Sequence, residues 1–377
     1  MEEKIINLGG IKSPNDYRDI RLASAIPLEK KYPDSCFLDL ENIKAWDQRM
    51  IGACVGHAWG KTKQQAEKKE CGKIIEFSPR FLYALAKCQD KISSEGTYPR
   101  LVAKILQDIG CATETTVPND TTLDHETYVY NRDQSKIPAG AFEEAKKYCI
   151  KSYAWAGITE EEIKQAINLV KEQKGEIVML VRVGNEWWTD KQGNRSFAKE
   201  DLLPIRIPNP IKSGHEIFPI GYEMENGRMK IHFLNSFGDD WADQGKGYFY
   251  FDEYKPYIDE IMTAVELPND WIEKAKQLAK PEDFCHNFKT TLRYGQKSEE
   301  VRALQQALKI DGEFPAYQEA TGYYGTTTSK AVKEFQYKYS VAGPAELEYL
   351  KGRQVGPKTR EQLNKLFDKC SISNLRK

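Results

Sequence analysis

The chain has 377 residues, with 55 basic against 56 acidic side chains and a formal net charge of −1. At about 150 residues per domain this length predicts two domains, and 40% apolar with 11% aromatic residues is enough for a sizeable core, which excludes wholesale disorder. Near-neutral charge excludes a bulk electrostatic footprint for nucleic acid or anionic lipid, and no apolar run approaches the roughly 20 residues of a membrane span.

The N-terminus, Met1-Glu2-Glu3-Lys4-Ile5-Ile6-Asn7-Leu8-Gly9-Gly10, holds no apolar segment of signal-peptide length. The chain as written reads as cytoplasmic, or as extracellular or wall-associated if it is released or a leader was removed. Residues 1–50 read as loops, with turn-rich stretches at Asn15-Asp16-Tyr17 and Tyr32-Pro33-Asp34. A helix is predicted from Gly52 to about Lys69. Ser78-Pro79 opens another, because Ser caps well and Pro is tolerated at the first helical position. Its apolar face is Phe81, Leu82, Leu85 and Ala86. Pro99 to Ile109 reads as a third helix, ended by Gly110. Thr159 to Lys174 is amphipathic and starts as a capping box, Thr159-Glu160-Glu161-Glu162.

The pattern then changes from helical to strand-like. Ile177–Val183 is a buried-strand run. His215–Tyr222, Met229–Asn235 and Gly247–Phe251 have strand length, with a turn at Glu225-Asn226-Gly227. Helices first and strands later predict an α+β domain with a helical half beside a sheet half.

Residues 266–288 are charged and hold Pro268 and Pro281, so they read as a short helix and linker. The expected boundaries are a first domain over 1–268, a linker over 269–289, a second domain over 290–368 and a tail over 369–377. The second domain carries a repeat. Gly325-x-x-Thr328-x-x-x-Val332 recurs as Gly356-x-x-Thr359-x-x-x-Leu363, a period of 31. With the helical run Ser298–Leu308 it reads as a small three-helix bundle.

The eight cysteines, at 36, 54, 71, 88, 111, 149, 285 and 370, are too sparse for a disulfide scaffold. No C-x-x-C pair, zinc-finger spacing or H-E-x-x-H occurs, so no metal and no cofactor is expected. Seven of them read as small buried hydrophobes. Cys54 differs, because it sits at the start of the helix predicted from Gly52. Free N–H groups and the helix dipole there favour a thiolate, which makes Cys54 the expected reactive thiol. Gln48, six residues upstream, is within reach of the same site.

A thiolate nucleophile needs a base, and the base needs an orienting group. The five histidines are 57, 125, 215, 232 and 286. His57 lies one helical turn past Cys54, His125 in a polar loop, His232 within a strand and His286 in the linker. His215 follows Ser213-Gly214 at a strand start. Twenty residues later comes Asn235-Ser236-Phe237-Gly238, leading to Trp241 and Gly245-Lys246-Gly247-Tyr248-Phe249. An Asn at a strand end can accept from one imidazole nitrogen and fix the tautomer.

These strings, Gln48-x5-Cys54, Ser213-Gly214-His215 and Asn235-Ser236-Phe237-Gly238-x-x-Trp241, resemble those of papain-family cysteine peptidases, in that family's order of Cys, His, Asn. The likeness spans about residues 10–265. It implies a two-lobed fold, helical lobe then β lobe, and hydrolysis of a protein or peptide substrate. It implies Cys54 as nucleophile, His215 as base, Asn235 as orienter and Gln48 as oxyanion donor, with Trp241 as packing. Gly96-Thr97-Tyr98-Pro99 resembles the segment whose backbone pairs with substrate, so Gly96 and Thr97, with Gly214, are candidate substrate-binding residues. The Asn15-Asp16-Tyr17-Arg18-Asp19 start resembles bacterial members that lack the usual long inhibitory propeptide. Ile51 stands where the family usually has a disulfide cysteine, so that bridge is expected to be absent. Phe237 stands where a Trp usually shields the Asn–His contact, and Gly214 where an Asp or Asn is common.

Val301, Leu304, Gln305 and Leu308, then Thr321-Gly322-Tyr323-Tyr324-Gly325, Phe335-Gln336 and Val355-Gly356-Pro357, resemble the small peptidoglycan-binding domain of many wall hydrolases. That likeness implies a wall-targeting module over 290–368 with peptidoglycan as partner. The resulting expectation is a cysteine-type endopeptidase directed to cell wall. The alternatives are a peptidoglycan-lytic endopeptidase and a non-catalytic wall-binding protein. The separation of 161 positions from Cys54 to His215 disfavours the first alternative, because small wall-cutting Cys/His domains place the two much closer. The intact Gln48, Cys54, His215 and Asn235 disfavour the second.

Overall fold

The computed structural model describes residues 8–14, 19–49, 51–90, 92–119, 132–267, 284, 286–311, 313–314 and 320–367. The chain divides into two compact units: Met1–Ser13 with Ile20–Asn269, and Pro14–Asp19 with Asp270–Lys377.

In the first unit the helical half is built on α1 (Cys54–Cys71), α2 (Pro79–Asp90) and α3 (Pro99–Asp108). Helix α1 starts two residues after Gly52 and ends at Gly72, whose φ of 70° no β-carbon would favour. Helix α2 starts where the Ser-Pro pair places it: the Ser78 hydroxyl accepts the Phe81 N–H at 3.0 Å. The apolar faces of the three helices meet in one core with Trp59, Phe81, Leu82, Val102 and Leu106. That core is continuous with Val178 and Met262 of the sheet, so the two halves share apolar packing.

The sheet half has β1 (Ser35–Phe37), β2 (Ala154–Ala156), β3 (Glu176–Val183), β4 (Ser213–Glu225), β5 (Arg228–Leu234), β6 (Lys246–Tyr250) and β7 (Ile258–Ala264). Their order is β2-β7-β3-β4-β5-β6, with β1 on β4, and every pairing is antiparallel. β4 and β5 join through Asn226-Gly227, with φ of 53° and 77°, the left-handed pair a two-residue hairpin demands. Helix α4 (Glu160–Gln173) packs on this half. Its Thr159 oxygen accepts the Glu162 N–H at 3.3 Å. The return arm of the expected capping box is replaced by the Thr159 hydroxyl donating to the Glu162 carboxylate at 2.7 Å.

The second unit has α5 (Glu299–Asp311), α6 (Thr326–Lys338), a short α7 (Pro344–Leu350) and α8 (Pro357–Phe367), with β8 (Leu292–Arg293) on β9 (Gln354–Val355). Its core holds Val301, Leu304, Leu308, Tyr324, Phe335 and Leu363. Tyr323 stays outside it at 47% exposure. Phe288 is buried in this core and Phe284 packs against it, so the end of the expected linker belongs to the second unit. Those two aromatics outweigh the charged flanks. The rest of that linker, and the tail over 369–377, lie outside the described residues.

The 31-residue period has a physical basis. Gln305 on α5 donates to the Tyr323 carbonyl and to the Thr328 hydroxyl, each at 2.9 Å. Gln336 on α6 donates to the Gln354 carbonyl at 2.9 Å and to the Thr359 hydroxyl at 3.0 Å. Each copy thus clamps the start of the next long helix through a buried amide. Removing Gln305 leaves several buried groups unpaired, at about 1–3 kcal/mol each. Gln305→Leu is therefore expected to lower amide-exchange protection along α5 and α6 by about 100-fold, with the first unit unchanged; unchanged protection in α6 would remove the clamp from the account.

Candidate active site

The site lies where a loop of the helical half is zipped to a loop of the sheet half. The Gln48 N–H donates to the Ser236 carbonyl at 2.9 Å, and the Gly238 N–H to the Trp46 carbonyl at 2.9 Å. Both side-chain arms of Gln48 are tied down: Nε2 donates to the Ile51 carbonyl at 3.0 Å, and Oε1 accepts the Ser236 hydroxyl. Cys54 follows as the first residue of α1. Its sulfur accepts the backbone N–H of Glu216 at 3.4 Å. His215, the preceding residue on β4, is thereby held beside it.

His215 Nε2 lies 2.7 Å from Asn235 Oδ1. That oxygen also accepts the Ser236 N–H at 2.8 Å, and it has no proton to give. Nε2 therefore carries the proton, and Nδ1 keeps its lone pair. Nδ1 is buried without a hydrogen-bond partner among the described residues. Asn235 is fixed from behind, its N–H donating to Gly245 O at 2.8 Å. Phe237 stacks on the imidazole with centroids 4.7 Å apart, and Trp187 meets it edge-on at 5.7 Å. Trp241 stacks on Trp187 at 6.0 Å and donates to the Trp187 carbonyl at 2.7 Å. Phe237, Trp187 and Trp241 form the apolar wall that surrounds the imidazole.

The cleft is filled by the protein's own N-terminal segment. The Thr97 N–H donates to the Gly9 carbonyl at 2.9 Å, the Ile11 N–H to the Thr97 carbonyl at 3.1 Å, and the Gly10 N–H to the Gly214 carbonyl at 3.1 Å. Gly10 thus bridges the two halves, antiparallel to Gly214 and parallel to Thr97. The passage admits only glycine: a β-carbon on Gly9 would lie 1.8 Å from the Gly52 carbonyl oxygen, and one on Gly10 2.4 Å from Leu180. Ser13 anchors the strap, its N–H and hydroxyl both donating to Glu260 Oε1 at 2.9 Å. The strap brings the Gly9 N–H to the Cys54 sulfur.

Burial decides the electrostatics of this closed state. It pushes the Cys54 thiol up to about 12, against the pull of the Glu216, Gly9 and Val55 N–H groups. Burial also pushes His215 down to about 4. The pair is therefore thiol and neutral imidazole at pH 7. Burial, with the neighbouring Glu260 and Asp259, also pushes the Glu216 carboxyl well above the usual carboxylate range.

This architecture matches solved structures. Xylellain, a cysteine protease from Xylella fastidiosa, aligns with a TM-score of 0.56 at 20% identity, over 71% of this chain and 99% of xylellain. The first unit has the papain-like fold. Lower scores come from procathepsin L 3 of Tenebrio molitor larval midgut, at 0.45 with 16% identity over 67% of this chain and 76% of that one, and from procathepsin B S9 of Trypanosoma congolense, at 0.46 with 15% identity over 64% and 79%. Residues 297–342 match the family model described as a putative peptidoglycan binding domain. No curated protein matches the chain in sequence.

Cys54, His215, Asn235, Gln48, Thr97 and Gly214 converge on this cleft, and Gly96, with φ of 92°, lies against Gly9. Thr97 and Gly214 offer their backbone edges to the strap. His57 is buried against the Ala53 carbonyl at 2.9 Å, His232 pairs with Glu223 at 3.2 Å and His286 with Glu300 at 2.9 Å. His125 lies outside the described residues. Trp187, the Gly9-Gly10 strap and Glu216 join the site without any local sequence signal that marks them. The sequence makes Cys54 the only reactive thiol expected; in the closed cleft burial pushes that thiol up. In the native chain at pH 7, iodoacetamide is expected to label the exposed Cys71, Cys88 and Cys149 at least about 100-fold faster than Cys54. Fast labelling of Cys54, read by mass spectrometry, would contradict the closed cleft.

Proposed function

We propose that the first unit is a cysteine endopeptidase acting on protein or peptide substrates, and that the second directs it to cell wall. The observation that carries the reading is the 2.7 Å bond from His215 Nε2 to Asn235 Oδ1, which leaves Nδ1 as an acceptor on the residue next to Glu216, whose N–H meets the Cys54 sulfur. A substrate takes the place of the strap on the backbone edges of Thr97 and Gly214, next to Gly96. The thiol proton passes to Nδ1 and the thiolate forms a C–S bond to the scissile carbonyl. The carbonyl electrons move to oxygen, where the Gln48 side chain and the Cys54 N–H stabilise them. His215 then gives its proton to the departing amine as the C–N bond breaks. Nδ1 next takes a proton from water, the hydroxide displaces sulfur from the acyl group, and the proton returns to Cys54. Through both halves Asn235 holds the ring and its Nε2–H.

The strap must leave before any of this. Its Gly9 N–H offers nothing for the sulfur to attack, and Cys54 ionises readily only once the cleft is solvated. The unit described is a closed form, and displacement of the strap is its activating step.

The test is turnover of a fluorogenic peptide. Cys54→Ala and His215→Ala should fall to background, at least about 10³-fold down, and Gln48→Ala by about 10²–10³. His232→Gln should stay near wild type, and loss there with retention in His215→Ala would reassign the base. Gly9→Leu and Ser13→Ala, which weaken the strap without touching the catalytic groups, should raise the rate and speed Cys54 alkylation by about 10-fold or more. If both variants leave rate and alkylation unchanged, the strap is not what closes the cleft.

A further inference from the structure

The two copies of the repeat in the second unit differ at one hydrogen bond. In the first copy the Gln305 amide is fully used: besides its two donor bonds, its Oε1 accepts the Gly322 backbone N–H at 2.9 Å. Thirty-one residues on, Gln336 makes the same two donor bonds, but its Oε1 is buried with no partner among the described residues. The N–H in the position of Gly322 is that of Arg353, and it donates instead to the Leu350 carbonyl at 2.8 Å. The chain's turn out of α7 carries that group away from the acceptor.

Gln336 lies on the wall of a groove of about 210 Å³ between the end of α6, helix α7 and the start of α8. Val341, Ala342, Leu347 and Leu350 make one side apolar. The other side is Gly356 to Thr359, the beginning of α8, whose first-turn N–H groups have no intrahelical acceptor. Lys358 and Glu346 pair across the rim at 3.3 Å, so the charge at the mouth is balanced. A buried oxygen left unpaired costs about 1–3 kcal/mol, a cost that a bound donor would remove.

We propose that this groove is a binding subsite for a secondary amide carrying a small alkyl group. The first copy shows which donor the acceptor fits, since a backbone amide N–H fills it there. The ligand N–H would donate to Gln336 Oε1, its carbonyl would accept from the start of α8, and its methyl would lie against Leu347 and Leu350. Peptidoglycan offers that chemistry twice, in the N-acetyl groups of its sugars and in the alanyl amides of its stem peptides. The choice of wall as the source rests on the wall-binding reading above; the amide chemistry of the groove does not.

The experiment uses the full chain and three probes: purified sacculi by co-sedimentation in about 0.5 M salt, where exposed charge is screened, and chitotetraose and an L-alanyl-γ-D-glutamyl-L-lysyl-D-alanine peptide by calorimetry. One of the two small probes should bind and slow amide exchange over residues 336–359. Ala342→Trp, which fills the groove from its rim, should weaken that binding at least 10-fold with the thermal midpoint unchanged; protection of 336–359 in the unmutated chain reads the same site without any substitution. Binding of chitotetraose alone assigns the acetamido source, and binding of the peptide alone the stem. Sacculus binding with neither probe bound, or equal binding by Ala342→Trp, overturns the groove and leaves wall targeting standing. A small probe bound in the groove without sacculus binding overturns wall targeting and keeps the groove.

Discussion

One backbone donor organises the first unit. The Glu216 N–H meets the Cys54 sulfur at 3.4 Å, and it joins the first residue of α1 to the strand that carries His215. Glu216 can do this because β3 holds it on one side, opposite Leu180, while the pairing of β4 with β5 begins only at Phe218 and leaves the other edge open to the sulfur. The zipped loops at Trp46–Gln48 and Ser236–Gly238 then fix Gln48 and Asn235 on the same seam. Four side chains from four places in the sequence meet because two lobes share that seam. The apolar wall of Phe237, Trp187 and Trp241 gives the seam its low dielectric, and the low dielectric keeps thiol and imidazole neutral.

The strap is held by interactions of a size that can be reversed. Three backbone bonds in the cleft and the Ser13 contacts on Glu260 contribute about 0.5–1.5 kcal/mol each. Ordering each residue costs about 1–2 kcal/mol, and glycine loses most on ordering. The two sums are of similar size, so the strap's hold on the backbone edges of Thr97 and Gly214 is marginal. Glycines at positions 9 and 10 serve that balance. They pass a gap that no side chain could, and they bury almost no apolar surface that would make the strap permanent.

What the sequence revealed depended on whether the signal was local. The Ser78 cap, the Asn226-Gly227 hairpin and the Cys54 helix start each follow from a few adjacent residues. The Cys, His and Asn strings are short and chemically specific, so their residues could be named before their geometry was known. The strap was not legible, because Gly9-Gly10 reads as a loop until the Gly52 carbonyl is seen 1.8 Å from where a β-carbon would lie. Trp187 was missed for a related reason: its place beside His215 comes from the sheet, 28 residues of chain away. Prolines and charges over 266–288 mask a strand-like alternation, Phe284, His286, Phe288, that seats Phe288 in the second core.

The second unit shows how duplication can create a site without adding residues. Each copy needs its glutamine to clamp the next long helix, through Thr328 in one case and Thr359 in the other. That structural duty keeps the amide buried and oriented whether or not its oxygen is used. In the first copy the following turn closes on the oxygen through Gly322. In the second, α7 intervenes and the turn bends to Leu350. A glutamine kept for folding is thereby left with one rigid acceptor at the bottom of a groove, preorganised at no further entropic cost. Recognition through such an acceptor depends on hydrogen-bond geometry and not on net charge, as befits a chain whose basic and acidic residues nearly cancel.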